Sequence, residues 1–290
     1  MSSAAPLVLI TGASSGIGQA LALACLQRGW RVALLARREG LLQQWLKDLP
    51  MTISPGQACV LGADVGDADS MQAAAAQCLA HLGLPDVVIA NAGISLGVDT
   101  AEREDLDVFE QVLRTNTLGV AHTFQPFIRA MQARGHGKLV GIASVAGIRG
   151  LPGHAAYCAS KAAVISYCES LRGELRGQGL QVLTIAPGYI ATPLTARNRY
   201  PMPFLMPADR AAARFAGAIE ADHEAIADQL ILAHALDIRE ILDPRRRMGW
   251  RTRSTDEGGQ QGNRHASCLR NPKHPLLPAE VSAACSVLPT

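Results

Sequence analysis

Apolar and polar positions fall into two rhythms over the first 188 residues. Short, unbroken apolar runs at Leu7–Ile10, Arg31–Ala36, Ala58–Gly62, Asp86–Ala90, Lys138–Ala143 and Gln181–Ala186 predict strands. Between them a 3.6-residue period predicts helices near 17–29, 39–49, 67–82, 104–133 and 155–177. Runs without polar interruption suit strands covered on both faces, and strict strand–helix repetition gives parallel pairing with right-handed crossovers. The pattern therefore predicts an α/β fold, a doubly wound parallel sheet with helices on both faces.

The rhythm changes at Tyr189. Pro193, Pro201, Pro203 and Pro207 forbid a long helix through 189–207, which reads as a lid excursion over the carboxyl edge of the sheet, where open α/β sheets bind ligands. A helix resumes over Ala208–Ala221 and a further one is permitted over Glu224–Leu242. Gln229–Ala233 is a short strand candidate, but its neighbours favour helix. From Asp243 periodicity is lost, with eight Lys/Arg against four Asp/Glu. The expected organisation is one domain over 1–242 and a flexible basic tail over 243–290.

Composition narrows the classes. Of 290 residues, 48% are hydrophobic and 18% charged, enough for a large core. The net charge of +2 is concentrated in the tail, so no nucleic-acid surface is expected. No apolar run is long enough for a membrane span or a secretory leader. Seven cysteines without a C-x-x-C pair imply reduced thiols and a cytoplasmic location, and no cluster has metal spacing.

Candidate chemistry begins at the first strand–helix junction. Thr11-Gly12-Ala13-Ser14-Ser15-Gly16-Ile17-Gly18 joins a strand to a helix, and its glycines allow backbone to approach a pyrophosphate at a helix N-terminus. Alone, such a run fits a plain turn equally well. The second strand ends in Ala36-Arg37-Arg38, not in the Asp or Glu that an NAD-selective site offers the ribose 2′-hydroxyl. Guanidinium groups suit a 2′-phosphate, so NADP(H) is favoured with NAD(H) as the alternative. Solvation of a helix start is the plainer reading of both arginines.

Tyr157 and Lys161 stand one turn apart on a predicted helix, thirteen residues after Ser144. An ammonium beside a phenol favours phenolate and tunes the tyrosine for acid/base work. By itself Tyr-x-x-x-Lys also suits a solvated helix face.

Taken together, the glycine turn, Asn91-Ala92-Gly93, Asn116, Ser144, Tyr157-x-x-x-Lys161 and Pro187-Gly188, in this order over residues 6 to 221, closely resemble the short-chain dehydrogenase/reductase family. The resemblance implies a Rossmann-type sheet of six or seven strands and reversible carbonyl/alcohol oxidoreduction with a nicotinamide cofactor. It assigns Gly12, Ser14, Ser15, Gly16, Ile17 and Gly18 to the cofactor turn. Asp64, followed by Val65, falls to the adenine, and Asn91 to the cofactor wall. Pro187, Gly188 and Thr192 fall to the nicotinamide end. Ser144 holds the substrate oxygen, Tyr157 moves its proton, and Lys161 tunes Tyr157 and binds the ribose. Asn116 anchors a proton-relaying water. The implied partner is a small-molecule carbonyl or alcohol substrate, and the assembly a homodimer or homotetramer. The departure from the family after Ala221 keeps a second class open, a cofactor-binding regulatory or scaffolding protein with little turnover.

Overall fold

The computed structural model describes residues 5–198 and 201–221, together with the backbone of 230–232. The tail expected over 243–290 lies outside the described residues. Chain order within them is β1 (Leu7–Thr11), α1 (Gly16–Gln27), β2 (Arg31–Ala36), α2 (Glu39–Lys47), β3 (Ala58–Gly62), α3 (Ala68–His81) and β4 (Val87–Ala90). There follow α4 (Asp105–Leu113), a π-helical turn (Arg114–Leu118), α5 (Gly119–Arg134), β5 (Gly137–Ile142), α6 (Ala155–Glu174) and β6 (Leu180–Ala186). Two short strands, β7 (Ile190–Ala191) and β8 (Met206–Pro207), precede α7 (Ala208–Glu220) and β9 (Leu230–Leu232).

Seven strands form one parallel sheet in the order β3-β2-β1-β4-β5-β6-β9. Strands added after β1 run one way and those from β4 the other, so the order reverses between β1 and β4. A crevice opens at the carboxyl ends of such a pair. Both faces of the sheet are covered, which is why the strand runs are dominated by apolar residues. On β1, Leu7 and Leu9 join a core with Met71 of α3, Phe124 and Phe127 of α5 and Val164 of α6. Val8 and Ile10 face the opposite core, with Leu21 of α1, Leu42 of α2 and Phe215 of α7.

Three features depart from the periodicity. The helix expected over 104–133 is two helices joined through the π-helical turn. Gly119 follows that turn directly under Val65, where a Cβ would stand 2.8 Å from Val65 Cγ2. Within the excursion, β7 pairs with β8, Ile190 opposite Met206, so its two ends are fastened together. Leu230–Leu232, inside the stretch to which a helix was permitted, is a strand paired in parallel with Thr184–Ala186. Its three apolar residues meet the open edge of β6, and ladder hydrogen bonds there outweigh the helical preference of the flanking sequence.

Candidate active site

The glycine turn is built against the end of β4. Thr11 Oγ1 accepts from the backbone N–H groups of Asn91 at 3.1 Å and Ala92 at 3.2 Å. Asn91 Nδ2 returns a bond to the Thr11 carbonyl at 2.9 Å. Gly12 has φ +67°, and a Cβ there would come 2.7 Å from Ala92 Cα. Gly18 lies behind the turn and not on the cleft, where a Cβ would meet Asn91 Nδ2 and the Gly12 carbonyl at 2.5 Å. Glycine at these positions lets the two strand ends close on each other. Ser15, at the N-cap of α1, makes no side-chain capping bond, and Ser14, Ser15, Gly16 and Ile17 at this helix start line the cleft.

Arg37 and Arg38 line the same cleft from the end of β2. Arg37 Nη1 stands 3.9 Å from Asp64 Oδ2, both side chains largely exposed, a pair that adds little to stability. Asp64 Oδ1 also accepts from the Gly66 N–H at 2.9 Å, shaping the turn after β3. Asp64 therefore both orders its turn and presents an oxygen beside Arg37, and Val65 is buried next to it on the cleft wall.

The same cleft also carries Ser144, Tyr157 and Lys161 together with Pro187 and Gly188, and Thr192 lines it beside the glycine turn. Ser144 follows β5 and is buried; its Oγ accepts from the Ala146 N–H at 3.1 Å and lies 3.5 Å from the Pro187 carbonyl. The short turn after Ser144 packs on α6 at Gly147, where a Cβ would fall 2.6 Å from the Lys161 carbonyl carbon. That close approach brings the serine to the helix bearing Tyr157. Lys161 is buried, and its Nζ donates to the Ile142 carbonyl at 2.7 Å and stands 5.9 Å from the Tyr157 ring centre. Burial draws the Lys161 ammonium down from 10.5 to about 8. Gly93 leaves room above it, since a Cβ there would stand 3.5 Å from Nζ.

Asn116 is fully buried in the π-helical turn and does not line the cleft. Its Oδ1 accepts from the Ile94 N–H at 2.8 Å, and its Nδ2 donates to the Ile94 carbonyl and to Ser160 Oγ, each at 2.9 Å. The side chain thus grips the segment after β4, and both amide protons are bonded within the protein. Ser160, outside the residues singled out from sequence, is the partner that completes this arrangement. His154 is the N-cap residue of α6 and does not line the cleft, and burial lowers its ring pKa. The thiol of Cys158 accepts from the Leu151 N–H at 3.2 Å, and burial raises its pKa.

The excursion packs over the glycine turn. A Cβ on Gly16 would stand 3.3 Å from Thr192 Cβ, and Pro193, Leu194, Thr195 and Arg197 line the cleft beyond it. Thr195 Oγ1 donates to the Ile190 carbonyl and Thr192 N–H donates to Thr195 Oγ1 at 3.1 Å, so the root of the excursion is ordered by its own threonines. The cleft encloses about 570 Å³.

These residues fit a dinucleotide. A glycine turn at a helix N-terminus and two arginines suit phosphates. Among the described residues the Lys161 ammonium has one hydrogen-bond acceptor, leaving two of its three protons for ribose hydroxyls. No group of His, Cys, Asp or Glu among the described residues could hold a metal ion.

The chain matches the family model for short chain dehydrogenase over residues 6–202. It is 43% identical over 202 residues to an uncharacterized oxidoreductase of Myxococcus xanthus, covering 68% of this chain and 77% of that protein. It is 36% identical over 192 residues to a dehydrogenase/reductase SDR family protein 7-like of Anopheles gambiae, covering 65% of this chain and 60% of that protein. The chain thus spans about three fifths of the latter's length. A crystal structure of a short-chain dehydrogenase from Streptomyces avermitilis superposes with a TM-score of 0.69 at 28% identity, covering 80% of this chain and 89% of that one.

Proposed function

This chain belongs to the short-chain dehydrogenase family of oxidoreductases, and from that membership we propose that it is an NADP(H)-dependent enzyme interconverting a carbonyl compound and its secondary alcohol. The observation carrying this reading is that Ser144, Tyr157 and Lys161 open on the same cleft as the glycine turn and Arg37/Arg38.

In this reading Gly12, Ser14, Ser15, Gly16 and Ile17 hold the pyrophosphate with backbone N–H groups and the positive end of α1. Arg37 and Arg38 face the 2′-phosphate, Asp64 and Val65 flank the adenine, and Pro187, Gly188 and Thr192 bound the nicotinamide end. Gly18 supports the turn from behind, while Asn91 both braces it and lines the cleft. Bound there, the nicotinamide supplies or accepts the hydride. Ser144 Oγ then donates to the substrate oxygen, and the Tyr157 hydroxyl gives that oxygen its proton in reduction or takes it in oxidation. Lys161 bonds the nicotinamide ribose and stabilises the tyrosinate left by proton transfer. Asn116 acts from beneath by holding Ile94, and a relay water belongs to the backbone around it, since its amide protons are engaged.

Free thiols at Cys25, Cys59, Cys78, Cys158 and Cys168 are in keeping with a cytoplasmic enzyme. Loss of NADPH absorbance across a panel of ketones and aldehydes tests the reading. Tight NADPH binding with no turnover on any of them would leave a cofactor-binding protein of this fold instead.

A further inference from the structure

We propose that Ser160 is a positioning residue that locks the helix carrying Tyr157 and Lys161 to the cleft wall at Ile94, an inference resting on the functional reading above. Ser160 is fully buried on α6 between the two residues it serves. Its Oγ donates to the Tyr157 carbonyl at 2.7 Å and accepts from Asn116 Nδ2 at 2.9 Å. The Ser160 carbonyl in turn accepts from Thr117 Oγ1 at 3.3 Å. Two consecutive residues of the π-helical turn therefore grip one residue of α6.

The chain of bonds continues outward. Asn116 takes the Ile94 N–H on Oδ1 and the Ile94 carbonyl on Nδ2, as a neighbouring strand would, and Ile94 lines the cleft. Gly93, just before it, has room for no large group, with Asn116 Oδ1 and Lys161 Nζ at 3.3 and 3.5 Å from a Cβ placed there. Ser160 is the only link between Asn116 and α6 by side-chain bonding among the described residues. A serine bonding back into its own helix ordinarily weakens or bends it. Here that hydroxyl also closes a bridge between Tyr157's peptide and the opposing wall. Removing it leaves a buried amide N–H of Asn116 without an acceptor and cuts the amide's tie to α6, so Ile94 and the helix are no longer held together. Tyr157 keeps its chemistry but loses its fixed place, and misplacement of about 1 Å lowers rates by roughly a hundredfold.

The test compares Ser160→Ala and the shape-conserving Ser160→Cys with Thr123→Val. Thr123 is equally buried and bonds back to the Gly119 carbonyl in α5, but does not line the cleft. Both Ser160 variants should lower kcat by roughly tenfold to a hundredfold, change the NADPH Kd by less than about twofold, and shift the acid limb of the kcat–pH profile. Hydrogen exchange in peptides covering 91–97 should quicken in both. Thr123→Val should change thermal stability alone. If Ser160→Ala does not fold, Ser160→Cys carries the comparison. Unchanged kcat and unchanged exchange at 91–97, or a loss no different from that of Thr123→Val, overturns the inference. Should the wild type show no turnover on any carbonyl, the functional reading falls, and exchange at 91–97 still decides whether Ser160 holds Ile94.

Discussion

Lys161 donates to the carbonyl of Ile142 at 2.7 Å, tying the ammonium of α6 to the last residue of β5. The bond fixes the charge beneath the cleft while burial lowers its pKa to about 8. The unfolded chain holds that proton to about 10.5, so below pH 8 the burial penalty is fully present. Between 8 and 10.5 the unfolded state binds more protons than the folded one, and stability rises with pH by up to about 1.4 kcal/mol per unit. Buried Cys25 and Cys78, raised to about 12, work in the opposite sense once unfolded thiols ionise near 9. Comparing wild type with Lys161→Met cancels the thiols. At pH 7, denaturant titration without cofactor should find Lys161→Met more stable by about 1–3 kcal/mol. The advantage should shrink above pH 8. A constant difference from pH 7 to 10 would contradict the depressed lysine.

Tyr157→Phe removes the hydroxyl and keeps the ring beside Lys161. Turnover should fall by about 10²–10⁴-fold, the contribution of a positioned acid/base group, with NADPH affinity nearly unchanged. Steady-state assays with fluorescence titration of NADPH check both halves, and retained turnover removes Tyr157 from the mechanism.

The proposed preference for NADP(H) rests on Arg37 and Arg38 at the end of β2. Replacing both with alanine should reduce kcat/KM for NADPH by roughly tenfold to a hundredfold, the value of one or two charge-assisted hydrogen bonds, and spare NADH. The ratio of the two efficiencies is the measurement. A wild-type preference for NADH would show that Asp64, 3.9 Å from Arg37, neutralises that end of the cleft.

Gly12→Ala combines a left-handed φ of +67° with a Cβ 2.7 Å from backbone Ala92. The conformation alone costs about 1–2 kcal/mol, and the clash adds to it by prying β1 from β4. Lower thermal stability and loss of NADPH binding should appear together. Gly29→Ala, with φ +75° and nothing within 4 Å, should show the conformational cost without the binding defect.

Six strands of the main sheet were legible because each is dominated by apolar residues, broken at mid-strand only by Thr184 of β6, the imprint of a sheet covered on both faces. Their bounds agree with the pattern to within about one residue. The π-helical turn left no such imprint, since Arg114-Thr-Asn-Thr-Leu differs from a helix only in hydrogen-bond spacing. Leu230–Leu232 was obscured by helix-favouring neighbours and takes its form from β6. The cleft-lining places of Ser144, Tyr157 and Lys161 follow from motif spacing, whereas Ser160 is hidden in the same motif. Its partner Asn116 is 44 positions away, and only the packing of α6 on the π-helical turn brings them together.

The same wide turn changes what a deletion would do. Losing one residue inside a buried helix ordinarily rotates everything downstream by about 100° and scrambles its contacts. Between Arg114 and Leu118 the chain already holds a surplus residue. Shortening it by one would let the stretch relax into ordinary winding, with Phe124 and Phe127 still turned inward. Such a trimmed protein would assemble its sheet and lose its hold on Ile94, separating the instructions for folding from those for catalysis at a single codon.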